Sequence, residues 1–250
     1  MNLEIYSEKL DKDGVVIIPN VFPLNLLKLF ESAALERFVE VKNIVQNSNP
    51  QIKEYITAFD KIYYNKKKFY NDSNNEKIIE LAKGRYDYSL NTSEGIFATD
   101  DFLNPEPICS LMEMKLKSQY SQHAGVVPAI PNSDNGPWHR DIYPFFEHGE
   151  ASEQKYDDSI EVKLMPPFYY TMLIPLENIN LHNGATEFIL SSHKKSYDEC
   201  VDLPKFQTEV QAGSVLLFDG RIFHRGRENK SIDPRMVIYK VYHKNWYNDY

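Results

Sequence analysis

The sequence predicts a mainly β fold, an antiparallel jelly roll with helices packed on its outside. Three observations carry this. Helical spacing is confined to the early part of the chain. The later part holds short apolar, β-branched runs of strand period. Turn signals such as Asn183-Gly184 and Asp219-Gly220 separate those runs. Helices first and then many strands, rather than strict alternation, argue for antiparallel pairing and against a parallel α/β sheet.

Taken in order, Leu3 to Leu10 has helical spacing, and Asp13-Gly14 is a turn signal. Val15-Val16-Ile17-Ile18 reads as a buried strand stopped by Pro19-Asn20. Pro23 opens an amphipathic helix with Leu26, Leu27, Phe30, Ala33, Ala34 and Phe38 on one face. Residues 43–75 are polar and read as surface helix and loop, with Lys66-Lys67-Lys68 a solvated face. Ile78 to Lys83 reads as a short helix, and residues 84–88 as a loop or strand.

From Met114 the period becomes that of strands. Ala124 to Ile130 is apolar, and residues 132–137 form a turn. Residues 147–158 are acidic and polar without apolar periodicity, the pattern of a long exposed loop that could close over a site. Phe168 to Leu176, Ala185 to Leu190, Gly213 to Phe218 and Arg235 to Tyr242 read as strands. No Pro/Gly/Ser-rich linker divides the 250 residues. The expectation is one domain, with a helical region over about 1–113 and a β core over about 114–245.

Composition excludes several classes. A net charge of -8 argues against a nucleic-acid binder, whose phosphate contacts need a basic face. No apolar run is long enough to span a membrane, and the amino terminus carries no basic-then-apolar signal. A cytoplasmic protein is expected. Cys109 and Cys200 fit no zinc spacing and read as buried free thiols.

The chemistry centres on Trp138-His139-Arg140-Asp141. On an extended segment, His139 and Asp141 project to the same face. One strand end could thus offer two ligands to one ion. His224, in Phe223-His224-Arg225, is the candidate third. Two imidazoles and a carboxylate make the facial triad of non-haem Fe(II) oxygenases, leaving positions for a bidentate 2-oxo acid and dioxygen. Such a co-substrate needs an anchor for its far carboxylate. Arg235 follows His224 across the 229–234 connection and has the planar fork for that task. The remaining histidines, His123, His148, His182, His193 and His243, lack a matching set of partners.

These residues resemble the phytanoyl-CoA dioxygenase family of Fe(II)/2-oxoglutarate-dependent oxygenases. The resemblance rests on Leu10 to Phe22, on Trp138 to Asp141, on Asn183 to Lys194, on Gly213 to Gly226 and on Asn229 to Arg235. Where the family usually has Pro-Gly before Ser-His, this chain has Leu190-Ser191, and Gly136 replaces a glutamine that some relatives carry. The chain also lacks the family founder's peroxisomal ending.

The resemblance implies a cupin-like double-stranded β-helix that binds a small-molecule substrate, 2-oxoglutarate and O2. It implies that His139, Asp141 and His224 hold Fe(II), that Arg235 binds 2-oxoglutarate, and that Thr186 is a hydroxyl near it. Related halogenases replace the carboxylate ligand by a small residue. Asp141 therefore points to hydroxylation. Two other readings compete: a non-catalytic jelly-roll binding protein, and a cupin-like metal enzyme that does not use 2-oxoglutarate. The primary substrate and the oligomeric state are not legible.

Overall fold

The computed structural model describes residues 2–56, 64–73, 76–117, 119–142, 165–196, 199–200 and 202–247. Helix α1 (Leu3–Asp13) begins at Asn2, whose side chain accepts from the Glu4 amide. It ends at Gly14, which takes φ 82°. Glycine is needed there twice over, since a Cβ would also lie 2.5 Å from His193 Nδ1.

Strand β1 (Val15–Ile18) follows, then α2 (Leu24–Asn47), which buries Leu27, Phe30, Ala34, Phe38 and Val41 along one stripe. Next come β2 (Gln51–Ile56), β3 (Tyr64–Asn71), β4 (Lys77–Ala82) and β5 (Arg85–Ser89). Two short helices, α3 (Asp100–Leu103) and α4 (Ile108–Leu116), lead into β6 (Tyr120–Val126) and β7 (Tyr169–Pro175). The chain closes with β8 (Thr186–Ile189), β9 (Lys205–Gln207), β10 (Val215–Asp219), β11 (His224–Gly226) and β12 (Val237–Lys244).

Four local expectations give way here. Within residues 43–75, β2 and β3 form an antiparallel pair where surface helix and loop were expected. Residues 78–83 are mostly strand, because β4 is paired on both sides, to β3 and to β5. A short apolar run is ambiguous between helix and strand, and here pairing decides. Met114 belongs to α4, whose buried Ile108, Leu111, Met112 and Leu116 have helical spacing. Nor is the lysine run simply solvated: Lys67 is half-buried, and Lys68 Nζ lies 2.9 Å from Glu80 Oε2.

Among the described residues the strands form a large antiparallel sheet in the order β1-β10-β7-β12-β6-β5-β4-β3-β2 and a small one in the order β11-β8-β9. Its two faces differ. The outer face presents Tyr70, Ile78, Tyr88, Val126, Met172, Leu217 and Ile238 to one core shared with α1, α2 and α4. Phe30 is its hinge pin, fully buried against Phe22, Phe97 and Phe102. Burying one such ring contributes about 1.5–3 kcal/mol. The inner face presents Val15, Leu216, Phe218 and Val237 to Phe188 of the small sheet, and to Ala185 and Ile222 flanking it. This is a jelly roll with helices on its outside, as the sequence predicts. No helix among the described residues is long and apolar enough to cross a membrane.

Candidate metal centre

The His139 amide donates to the His224 carbonyl, and the His224 amide returns a bond to the His139 carbonyl, both at 3.0 Å. This exchange defines an antiparallel hydrogen-bonded pair, whose side chains share a face. It extends the small sheet by one residue beyond β11 and sets the two imidazoles 4.3 Å apart between ring centres. Asp141 is held next by its amide, which donates to the Gly220 carbonyl at 2.8 Å. Its Oδ1 lies 3.3 Å from His224 Nε2 and 3.6 Å from His139 Nε2. Among the described residues these three form a group whose ligand atoms all lie within 4.8 Å of one another.

The intervening side chains point the other way. Arg140 lies over the Phe223 ring at 4.1 Å and donates to the Lys195 carbonyl. Arg225 pairs with Glu187 at 2.7 Å and covers Trp138.

Hydrogen bonding shows which ring nitrogens face inward. His139 Nδ1 lies 2.9 Å from the Pro137 carbonyl, and His224 Nδ1 lies 3.1 Å from the Ile222 carbonyl. A carbonyl can only accept, so each Nδ1 carries a proton, and each Nε2 is turned toward Asp141 Oδ1. Burial, with the His224 ring beside it, holds the His139 imidazole down at about 4, so it is neutral at pH 7. Burial alone would raise the Asp141 carboxyl. The His224 and His139 rings and the Thr171 hydroxyl override that and bring it down to about 2.

Two imidazole nitrogens and an anionic oxygen thus converge, a donor set that fits a bound cation. Two nitrogens and one carboxylate on one side suit Fe(II) with open positions.

Thr171 on β7 was not singled out in the sequence. Its hydroxyl donates to Asp141 Oδ2 at 2.5 Å. The available signal was a polar residue in the otherwise apolar Tyr169–Pro175 strand. Phe188 and Phe218 pack on His224 with ring centres 5.6 and 4.6 Å away.

Arg235 and Thr186 come together as well. Both line a small cavity with Thr208, Leu173, Leu216 and Val237. Thr186 sits opposite Gly226, one like-facing step along β8 from Phe188, which pairs His224. Arg235 is only 3% exposed, and its Nε has no hydrogen-bond partner. Burial pushes its guanidinium down to about 10, with Glu177 opposing. A buried guanidinium with an unpartnered Nε, lining one cavity with two threonines, suits a carboxylate.

Arg85, in a stretch the sequence offers as a candidate pocket wall, is placed beside Arg235. It and Arg235 flank Ala129 in register, so the two cations share one face. Burial, and then the charge of Arg235, pulls the Arg85 guanidinium well below its ordinary value. It is held by the Asp134 carbonyl at 3.0 Å and by the Arg227 carbonyl. Cys109 and Cys200 are both buried, as expected, and form no disulfide among the described residues. His148 and the expected loop over 147–158 lie outside the described residues.

Comparison with known proteins agrees with this geometry. The iron/alpha-ketoglutarate-dependent dioxygenase ausU of Aspergillus calidoustus is 22% identical over 253 residues, spanning 95% of this chain and 70% of that one. The non-heme alpha-ketoglutarate-dependent epimerase SnoN from nogalamycin biosynthesis shares the fold at a TM-score of 0.62 and 15% identity, over 97% of this chain and 82% of its own. HygX from Streptomyces hygroscopicus, solved with nickel, 2-oxoglutarate and hygromycin B bound, does so at a TM-score of 0.62 and 13% identity, over 100% of this chain and 90% of its own. The family model for phytanoyl-CoA dioxygenase matches residues 10–237, and with nearly the whole fold inside that span the chain belongs to the phytanoyl-CoA dioxygenase family of Fe(II)/2-oxoglutarate-dependent oxygenases.

Proposed function

We propose that this chain holds Fe(II) on His139, Asp141 and His224, anchors 2-oxoglutarate through Arg235, and hydroxylates a small-molecule substrate. The observation that carries the reading is the convergence of His139 Nε2, His224 Nε2 and Asp141 Oδ1.

When bound, the iron would couple decarboxylation of 2-oxoglutarate to succinate with oxidation of the substrate by O2. The chain's own residues do the rest. The Pro137 and Ile222 carbonyls lock the tautomers, and Thr171 turns Asp141 so that Oδ1 faces the imidazoles. Arg235 takes the distal carboxylate in its fork, and the Thr186 hydroxyl stands on the same cavity wall. Arg85 adds a second buried positive charge across Ala129. Phe188 and Phe218 keep water from the His224 side.

Hydroxylation is preferred to halogenation because Asp141 supplies a carboxylate where a halogenase needs a vacancy. SnoN, an epimerase of this fold, makes a different outcome at the same kind of centre the alternative.

The test is anaerobic addition of Fe(II) and 2-oxoglutarate, followed by air. The expected results are a visible charge-transfer band and then succinate. Absence of both in the parent protein, with metal bound, would remove the 2-oxoglutarate reading. Oxygen incorporation into the product distinguishes hydroxylation from epimerisation.

A further inference from the structure

One turn supplies backbone anchors to two of the three candidate ligands. The Ile222 amide donates to the Asp219 carbonyl at 2.9 Å, closing a tight turn over residues 219–222 between β10 and β11. Inside that turn the Gly220 carbonyl accepts from the Asp141 amide at 2.8 Å. At its end the Ile222 carbonyl accepts from His224 Nδ1 at 3.1 Å. The place of Asp141 and the orientation of the His224 ring therefore both depend on how this turn is held.

A buried ion pair within the turn holds it. Asp219 Oδ1 accepts from the Arg221 amide at 3.0 Å and from Arg221 Nε at 2.8 Å, and Asp219 Oδ2 accepts from Arg221 Nη2 at 2.6 Å. Arg221 Nη1 donates to the Met165 carbonyl at 2.7 Å, which ties the turn to the residues leading into β7. The Asp219 amide donates to the Gly14 carbonyl and the Gly220 amide to the Tyr169 carbonyl, both at 2.9 Å. Packing is as close as the bonding: a Cβ on Gly220 would lie 2.3 Å from Tyr169 Cδ1.

Stability alone does not account for the pair. Asp219 is 2% exposed and Arg221 1%. Two charges buried this completely lose their hydration, and apolar residues of similar volume often serve a fold as well or better. Apolar residues cannot, however, impose the single mutual geometry of a guanidinium fork on a carboxylate. We infer that Asp219 and Arg221 are positioning residues for the metal centre: as a pair they fix the Gly220 and Ile222 carbonyls, and through them Asp141 and His224. This rests on the metal-binding reading above and adds to it two residues that act through the backbone of the turn.

The test compares intact proteins by calorimetric titration with Mn(II) and by the visible absorption of the Co(II)-loaded form, which reports ligand geometry. Asp219→Val/Arg221→Met removes both charges together at similar volume, so that no lone charge is left buried. It should keep a urea midpoint near the parent's, while Mn(II) affinity falls roughly 10- to 100-fold and the Co(II) bands shift. Should that double variant not fold, Arg221→Lys decides the matter. It keeps the positive charge but gives up the fork, so Mn(II) affinity should fall and the Co(II) bands should move. Phe30→Leu, in the core on the outer face, should lower the urea midpoint and leave both metal readouts at the parent's values.

Parent-like Mn(II) affinity and Co(II) bands in the folded double variant, or in Arg221→Lys if that variant does not fold, would overturn the inference. So would an equal loss of affinity in Phe30→Leu, because the readouts would then follow stability rather than position. The parent is titrated first: failure to take up either metal would overturn the metal-binding reading itself, and this inference with it.

Discussion

Thr171 Oγ1 lies 2.5 Å from Asp141 Oδ2 and so decides which carboxylate oxygen faces the two imidazoles. The bond joins a residue of the large sheet to a candidate ligand on the connection after the small sheet's bridge, so the candidate metal centre ties the two sheets together.

That bond gives the first prediction. Thr171→Val keeps the shape and removes the donor. Metal affinity should drop by roughly 10- to 100-fold, as for other groups that orient ligands from behind. Thr171→Ser should recover most of it. Calorimetric titration with Mn(II) measures both, and an unaltered affinity in Thr171→Val would mean that the Gly220 contact alone orients Asp141.

Replacing His139, Asp141 or His224 by Ala removes one ligand each. Each variant should lose stoichiometric Fe(II) and with it turnover. Metal content after desalting is the measurement, and full activity in His224→Ala would reassign the third ligand.

Arg235 is buried with an unpartnered Nε, so truncation should be costly for the co-substrate. Breaking such a charge-assisted pair costs about 2–5 kcal/mol, so the apparent KM for 2-oxoglutarate should rise roughly thirty-fold or more in Arg235→Ala. Arg235→Lys should recover only part, because a point charge cannot form the fork. If both variants keep the parent's dependence on 2-oxoglutarate, the anchor lies elsewhere.

Gly226 is a packing requirement. A Cβ there would lie 2.5 Å from Arg85 NH2 and 2.7 Å from its Cζ. Gly226→Ala should displace Arg85 and cost about 1–3 kcal/mol in overpacking. In an Arg85→Ala background the same change should cost much less, and urea unfolding of the four proteins in the cycle reads the coupling.

Lys240 is 1% exposed and donates to the Phe102 and Leu103 carbonyls at the end of α3. Burial pushes its ammonium down to about 8. The unfolded chain keeps this proton to about pH 10.4, so between these values the unfolded state binds more protons and stability rises with pH. Below about 8 both states are charged and the full desolvation cost applies. The urea midpoint should therefore increase from about pH 7.5 to about pH 9.5. Lys240→Met should abolish that rise and cost about 1–3 kcal/mol, because it leaves the carbonyls unpaired.

How much was legible follows from the range of each signal. The candidate ligand set was legible because an imidazole and a carboxylate at strand period act locally, and His224 follows a strongly apolar strand that pairing in the structure bears out. The jelly roll was readable for the same reason: β7, β10 and β12 announce themselves by composition. The β2–β4 region was misread because polar strands carry little local preference, and cross-strand partners make them strands.

By itself, then, the sequence determined which residue types could bind a cation and which strands would form the core. Both follow from side-chain chemistry and a period of two. Tertiary structure alone decided the rest. It chose Nε2 over Nδ1 through the Pro137 and Ile222 carbonyls, and Oδ1 over Oδ2 through Thr171. It also set Arg85 beside Arg235 across Ala129. The physical reason is that a proton position or a buried charge is fixed by neighbours distant in sequence, and those neighbours exist only once the strands have paired.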